Sequence, residues 1–436
     1  MPPELPLNQD PDSFDLAVIG AGAAGLATGI FAAEENPVLR IALLEGAQQI
    51  GAKILVSGGG RCNVTHHSAT PDDFQGNPPI VRALLQEFSE RDTVNWFQEM
   101  GVTLKQEPTG KLFPKSNRAR TVVDALVARC ESLGAEIRTD HRVESVHAEN
   151  GGWRIEHSHG VLHARRVVIA TGGLSLPKSG SDGFGLDLAR QMGHEVTALW
   201  PALVPLVLED SFPHASLSGT SHPATLTTRV AGKIRDRRRG SLLWTHFGMS
   251  GPLTMDASRF WVGAKRGERP VTLEISLLPD TNENRENEWF LQCARQDPKR
   301  LLVSLLSTRL PRKVAQTWCR LSGVAGNPPI GQLSRPDRQN LIRALLATEL
   351  PVSHDRGWNY AEVTAGGVPL SEIDRKTMES RLHSGLHFVG EVLDCEGRIG
   401  GFNFQWAWST GHQAGRAIGR LLNKPDSEPD SSPPGP

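Results

Sequence analysis

Apolar residues in this chain form short unbroken runs near both ends, with alternating and helical patterns between them. Leu16 to Ile19 and Ile41 to Leu44 are four-residue apolar runs suited to strands buried on both faces. The Ala-rich stretch Leu26 to Glu35 lies between them, so the spacing predicts strand, helix and strand in order. Helical periodicity returns over 79–100 and 121–133 around a hairpin at KLFPKS, and short strands are predicted at 136–138, 142–148 and 153–157. Val167 to Ala170 is another buried strand, leading into Thr171-Gly172-Gly173.

From Ala198 the grammar changes. Proline-punctuated β-rich segments (PALVPLVL, ATLTTRVAG, SLLWTH, PVTLEISLL) run to about Leu278 and predict a small barrel or sandwich. Charged helices follow near 298–307, 310–321 and 335–345. Gly385 to Gly419 then resumes the earlier pattern of strand, glycine-rich loop and long helix. The fold class expected is therefore α/β: a doubly wound Rossmann-like domain with an inserted β-barrel plus helical subdomain. Its first part is placed at 14–196 and its second at 356–422. The insert is placed at 197–355, β-rich over 197–280 and helical over 281–355. Residues 1–13 and 424–436 read as flexible tails, too polar and Pro-rich to build a core.

The first strand and helix enclose Gly20-Ala21-Gly22-Ala23-Ala24-Gly25, which is G-x-G-x-x-G. Gly20 permits the tight turn, Gly22 lets backbone approach a pyrophosphate, and Gly25 lets helix and strand pack closely. The helix N-terminus offers free N–H groups to the anion. The second strand ends at Glu45, where a carboxylate accepts from ribose hydroxyls and repels a 2′-phosphate. NADP is thereby disfavoured, while NAD and FAD both stay open on this fingerprint alone. Gly51 to Thr65, GAKILVSGGGRCNVT, interleaves glycines with Ser57, Arg61, Asn63 and Thr65, a mixture suited to backbone pressed against a planar polar ligand.

Composition narrows the partners. At 436 residues, with 38% hydrophobic and 22% charged content, the chain can bury two or three ordinary globular domains. A formal charge of -1 gives no global attraction to nucleic acid or to an anionic membrane. Arg235-Asp236-Arg237-Arg238-Arg239 is a local basic run, a pattern that usually marks a solvated hairpin. The N-terminal residues lack the pattern of a secretory signal, and no run of 18 apolar residues occurs, so a cytoplasmic location is expected. Five cysteines without a C-x-x-C pair argue for reduced thiols rather than a disulfide framework or a metal site.

In the closing segment a strand delivers Glu391 at its carboxyl end, and a helix begins near Gly401 to Asn403. A carboxylate there suits ribityl hydroxyls, and helix N-terminal amides suit the pyrimidine edge of a flavin, which favours FAD over NAD. IGAGAAGL, KILVSGGGRCNVT, LFPKS, VVIATGG, LSLPKSGSDGFG, WTHFGMSGP, VTAGGV and GEVLDCEGRIGGFNFQWAWSTG together resemble the BaiN-like flavoproteins, a family that includes enzymes described as aminoacetone oxidases. The resemblance runs from Phe14 to Leu422 and implies FAD as cofactor.

By that resemblance, the loop Gly20 to Gly25, with Ala23 and Ala24, meets the pyrophosphate and Glu45 the adenosine ribose. Lys53, Ser57, Gly60, Arg61, Cys62 and Asn63 line pyrophosphate and flavin, Val143 approaches the adenine through its backbone, and Thr171 and Gly172 lie beside the dinucleotide. Glu391, Gly401, Asn403 and Phe404 hold ribityl and pyrimidine. Similar members carry Asp-Gly-Pro-Thr-Gly-Gly before the last helix, whereas this chain reads Glu396-Gly397-Arg398-Ile399-Gly400-Gly401. That departure alters local substrate contacts while keeping the glycines.

No residue announces itself as the catalyst. Cys62, adjacent to Arg61, is a candidate thiolate; His66, with His67, is a candidate proton donor; and His246 in WTHFGMSGP is a candidate cavity residue. Each has an ordinary structural alternative, as a packed thiol or a surface imidazole. The expected function is FAD-dependent oxidoreduction of a small organic molecule, either amine or alcohol oxidation or reduction of a conjugated double bond. NAD(P)H would bind only transiently, since no second dinucleotide fingerprint is present. The alternatives are a nucleic-acid-modifying flavoprotein and a flavin-holding protein without turnover.

Overall fold

The structure, a computed structural model, describes residues 11–423. The chain forms two compact units: one drawn from the chain up to Leu199 and from Val363 onward, the other from Trp200–Glu362.

The first unit is built on β1 (Ser13–Ile19), α1 (Ala23–Glu35), β2 (Ile41–Leu44), α2 (Ala52–Gly60), α3 (Ala119–Ser132), β3 (Glu136–Arg138), β4 (Val143–Glu149), β5 (Gly152–His157) and β6 (Gly160–Ile169). The sheet runs β3-β2-β1-β6, all parallel. The strand Leu386–Phe388, from the far end of the chain, joins β6 in parallel. The unbroken apolar runs of β1 and β2 are buried throughout Leu16 to Ile19 and Ile41 to Leu44, as a sheet covered on both faces requires. β4, β5 and the first half of β6 form an antiparallel meander on the same sheet.

The closing helix, Phe402–Asn423, lies directly on α1. A Cβ placed on Gly411 would stand 2.8 Å from the Ala24 carbonyl oxygen, and one on Gly415 2.6 Å from that of Thr28. Small residues four apart therefore set the interhelical distance. The periodic stretch over 79–100 divides into Pro78–Glu87 and Glu90–Glu99, because Ser89 caps the second helix with its hydroxyl on the Asp92 N–H. The expected first tail is shorter than its reading: Ser13 opens β1, and Asp12 pairs with Arg138 at 2.8 Å. Residues 1–10 and 424–436 lie outside the described residues.

The second unit contains β7 (Leu206–Leu208), β8 (Ser221–Val230), β9 (Lys233–Thr245), β10 (Gly248–Ser250), α4 (Gly251–Arg266), β11 (Val271–Ser276), β12 (Thr348–Leu350) and β13 (Val352–Asp355). These strands form one antiparallel path, β12-β11-β8-β9-β10-β7-β13. The two end strands are consecutive in sequence and meet at Pro351, which has no N–H to donate. One bent stretch, 348–355, therefore pairs with both ends of the path, as the expected barrel-like insert requires, although among the described residues no ladder joins β12 to β13 directly. The stretch expected to be β-rich throughout also contains the 16-residue α4, which starts with Pro252 in its first turn and buries Leu253, Ala257 and Trp261. Helices Glu283–Gln296, Leu302–Leu306, Arg312–Leu321 and Arg335–Leu346 complete the unit around Trp244 and Trp318.

Candidate cofactor site

At the carboxyl end of β1 the glycine loop separates two functions. Gly20 takes φ +104°, and a Cβ on Gly25 would fall 1.9 Å from the Gly20 oxygen, so these two glycines make the turn compact. Gly22 is different: a Cβ there meets nothing within 4 Å. The turn thus presents bare backbone to open space beside the N-terminus of α1, whose cap Gly22 supplies no side-chain hydrogen bond. Ala23 begins α1, and Ala24 is buried behind it.

Glu45 follows β2 and closes on this loop. Its carboxylate accepts from the Ala21 N–H at 3.0 Å and the Ala47 N–H at 3.1 Å. Burial raises its pKa against the opposing pull of those backbone donors and of Arg142. Val143 opens β4 and is buried.

The stretch read as loop over 51–65 begins with a turn of helix. Backbone helicity then breaks at Ser57 (ψ 150°), and Gly58 and Gly59 take left-handed conformations. The Ser57 hydroxyl donates to the Ile54 oxygen at 2.8 Å, and Gly60, at φ +81°, stands open. Arg61 pairs with Glu107 at 2.6 Å and lies over the Phe113 ring. Cys62 is fully buried at φ +59°, and burial pushes its thiol up to about 12. Of the two readings of Cys62, the burial supports the packed neutral thiol over the thiolate. Asn63 keeps a buried Oδ1 with no hydrogen-bond partner among the described residues, and so does Thr171 with its Oγ1.

The strongest electrostatic feature gathers four separated segments. Glu391, in the turn after Leu386–Phe388, accepts from Lys53 Nζ at 2.6 Å, from Ser175 Oγ at 2.7 Å and from the Thr364 N–H at 2.8 Å. Lys53 also donates to Ser175 Oγ at 2.7 Å. Burial raises the Glu391 pKa, but the Lys53 charge and these hydrogen bonds outweigh it, and the net displacement is downward. Thr364 Oγ1 in turn accepts from the Leu174 and Ser175 N–H groups at 2.7 and 3.1 Å, clamping the chain where it leaves β6. Gly172, at φ +74°, and Gly173 pass close to the carboxylate; a Cβ on Gly173 would lie 3.1 Å from Glu391 Oε1.

Ser175 and Thr364 were missing from the residues singled out in the sequence, although both stand in the blocks LSLPKSGS and VTAGGV. Lys53, read as lining pyrophosphate and flavin, is paired with Glu391. Asn403 is turned inward on its own loop, with Oδ1 accepting from the Gly397 N–H and Nδ2 donating to the Gly397 oxygen. Gly401 packs against Thr65, and Phe404 stacks on Trp408 at 5.8 Å.

His66 lies beside these residues. Its two ring nitrogens meet the Ser68 and Thr109 carbonyl oxygens at 2.9 and 3.1 Å, and its ring stacks on Phe402. Burial lowers its pKa. His67 packs against it, whereas His246 is exposed in the turn between β9 and β10, edge-on to Phe247. Cys62 and His66 are enclosed within the first unit, and His246 belongs to the second.

The residues present fit a dinucleotide flavin. A glycine turn opens onto free space at a helix N-terminus, a carboxylate stands at the end of β2, and two buried polar atoms lack protein partners. Among the described residues no helix is long and apolar enough to cross a membrane.

Comparison with known proteins agrees with this geometry. A family model described as HI0933-like protein Rossmann domain matches residues 14–417. A protein of Haemophilus influenzae named ribosomal RNA dihydrouridine synthase is 33% identical over 92% of this chain and 97% of its own length. One of Clostridium scindens named 3-dehydro-bile acid delta(4,6)-reductase is 32% identical over 92% and 98%. Among solved structures, a 3-ketosteroid-delta4-(5alpha)-dehydrogenase of Rhodococcus jostii shares the fold at 15% identity, TM-score 0.51, over 94% of this chain and 98% of that one. The family match takes in both arms of the Rossmann unit and the segment between them, so the chain belongs to the HI0933-like family and is an FAD-dependent oxidoreductase.

Proposed function

We propose that the protein is a reductase that saturates a carbon–carbon double bond conjugated to a carbonyl. FAD supplies the hydride transfer, and the protein supplies binding, orientation and electrostatics. The observation that carries the direction is the chemistry shared by two near-full-length relatives' names. A delta(4,6)-reductase acting on a 3-dehydro bile acid and a synthase of dihydrouridine both saturate a ring double bond in conjugation with a carbonyl.

In this reading the Gly20 to Gly25 turn and the first amides of α1 hold the pyrophosphate, and Glu45 holds the adenosine ribose. Asn63 Oδ1 receives a donor from the cofactor, which relieves the cost of leaving it buried and unpaired. Glu391, held ionised by Lys53 and oriented by Ser175 and Thr364, accepts from ribityl hydroxyls. The electron donor is NADH or NADPH, bound transiently, which suits a cytoplasmic location.

Anaerobic reduction of the holoprotein by NADH or NADPH, followed by mixing with an enone, tests the reading through the flavin absorbance. Return of the oxidised spectrum with the enone and not with buffer supports it; bleaching of the oxidised flavin by an amine, with no reoxidation of the reduced flavin by the enone, defeats it. The name of the Haemophilus influenzae relative favours a second version of the same reaction, in which the conjugated ring is a uracil within RNA.

A further inference from the structure

The basic run set aside as a solvated hairpin is sorted by the β-ladder. Ala231 and Gly232 take φ +48° and +77° and join β8 to β9 by a two-residue turn. Arg238 pairs across the ladder with the fully buried Leu226 and so turns onto the packed face. There Asp236 holds it at 2.6 Å and Asp256 at 3.6 Å. Arg237 and Arg239 pair with Thr227 and Thr225, so they stand on the opposite face, both exposed. Arg229, two residues on from Thr227, shares that face. A register shift between Thr228 and Arg229 makes Arg235 the extra residue of a bulge, next to the exposed Lys233 at the tip.

A second segment joins this tip. The Ala231 N–H donates to the Pro270 oxygen at 2.8 Å, which seats the exposed end of α4, with Lys265, Arg266 and Arg269, beside the turn. The carboxylates nearby are Asp280, which pairs with Arg239, Glu274, opposite Thr227 in the ladder, and Glu268 at the end of α4. Cations outnumber them on this end of the sheet, in a chain whose net charge is -1. Folding uses the inward Arg238, but the outward cations add like-charge repulsion and no packing. A polyanion removes that repulsion.

We propose that the β8–β9 hairpin and the end of α4 bind the phosphodiester backbone of RNA. The proposal rests on the RNA version of the proposed function and gives it a surface. The test uses the full-length holoprotein, a fluorescently labelled oligouridylate and anisotropy over a salt series. Lys233→Ala with Arg237→Ala is expected to weaken binding about tenfold at moderate salt and to reduce the slope of log affinity against log salt by about 1.4. Lys299→Ala with Arg300→Ala, a basic pair elsewhere in the unit, serves as control and is expected to bind as the wild type. Wild-type affinity in the hairpin variant, or tighter binding to anionic lipid vesicles than to the oligonucleotide, overturns the proposal. Reoxidation by a small uncharged enone is measured on the same variant and is expected at the wild-type rate. Loss of that activity in both proteins, with the hairpin effect on RNA intact, counts against the reductase reading alone.

Discussion

Lys53 and Glu391 are 338 positions apart in sequence and 2.6 Å apart in space. The pair ties α2 to the turn after the last parallel strand, so the early and late arms of the Rossmann unit share one partly buried charge interaction. Removing one partner leaves the other without its counter-charge. Lys53→Met is expected to cost about 1–3 kcal/mol in urea unfolding, with the double variant Lys53→Met/Glu391→Gln recovering part of that loss.

The same pair sets a pH dependence. Glu391 has a folded pKa below its ordinary value, so its contribution to stability is present above the ordinary glutamate range and is lost as pH falls through the folded value. In Lys53→Met burial is opposed only by the Ser175 and Thr364 hydrogen bonds, so the folded pKa rises relative to the wild type and the acid-sensitive contribution of Glu391 shrinks. Melting temperatures across pH 3 to 7 on both proteins check the weaker pH dependence of the variant.

The glycine turn separates folding from binding. Gly25→Ala drives a Cβ to 1.9 Å from the Gly20 oxygen and is expected to lower the melting temperature of the apoprotein sharply. Gly22→Ala, at φ -83° with open space around its Cβ, is expected to melt as the wild type while losing FAD affinity at least tenfold. Differential scanning fluorimetry of apoprotein and flavin titration give the two readouts.

Two imidazoles make the protein acid-sensitive. His387 is held to about 4 by burial and by Arg166, and His412 to about 4 by burial and by Arg416. Both folded pKa values lie below the unfolded value of about 6.5, so unfolding takes up protons as pH falls. Stability is intact above that value and declines between about 6.5 and 4. His412→Gln is expected to flatten the decline in chemical denaturation, and an unchanged profile would count against it.

Cys62 is expected to be inert. With its thiol pushed up to about 12, native protein should leave it unlabelled by iodoacetamide at neutral pH, and Cys62→Ala should keep its flavin and its turnover. Rapid labelling of Cys62 in the folded protein would restore the thiolate reading.

What the sequence disclosed follows from how local its signals are. The order of β1, glycine turn, α1 and β2 was legible because strand burial, turn chemistry and helix composition fall within 45 residues and agree. The Glu391 network was half legible. A carboxylate at a strand end carries a pattern, whereas Ser175 and Thr364 are ordinary hydroxyl residues whose importance arises only when two loops meet. Helix α4 escaped because SGPLTMDASRFWVG mixes apolar and polar residues without clean alternation and follows a run of strands. Its period shows in the buried Leu253, Ala257 and Trp261.

Reduction of a conjugated double bond by this flavoprotein is read most plainly by anaerobic stopped-flow absorbance on holoprotein prereduced by NADPH or NADH and mixed with an enone, with product analysis. The oxidised flavin spectrum is expected to recover at a rate that rises with enone concentration, with a saturated ketone formed one for one with reoxidised flavin. A flavin that stays reduced under every enone yet is reoxidised promptly by oxygen, with peroxide as product, would contradict it.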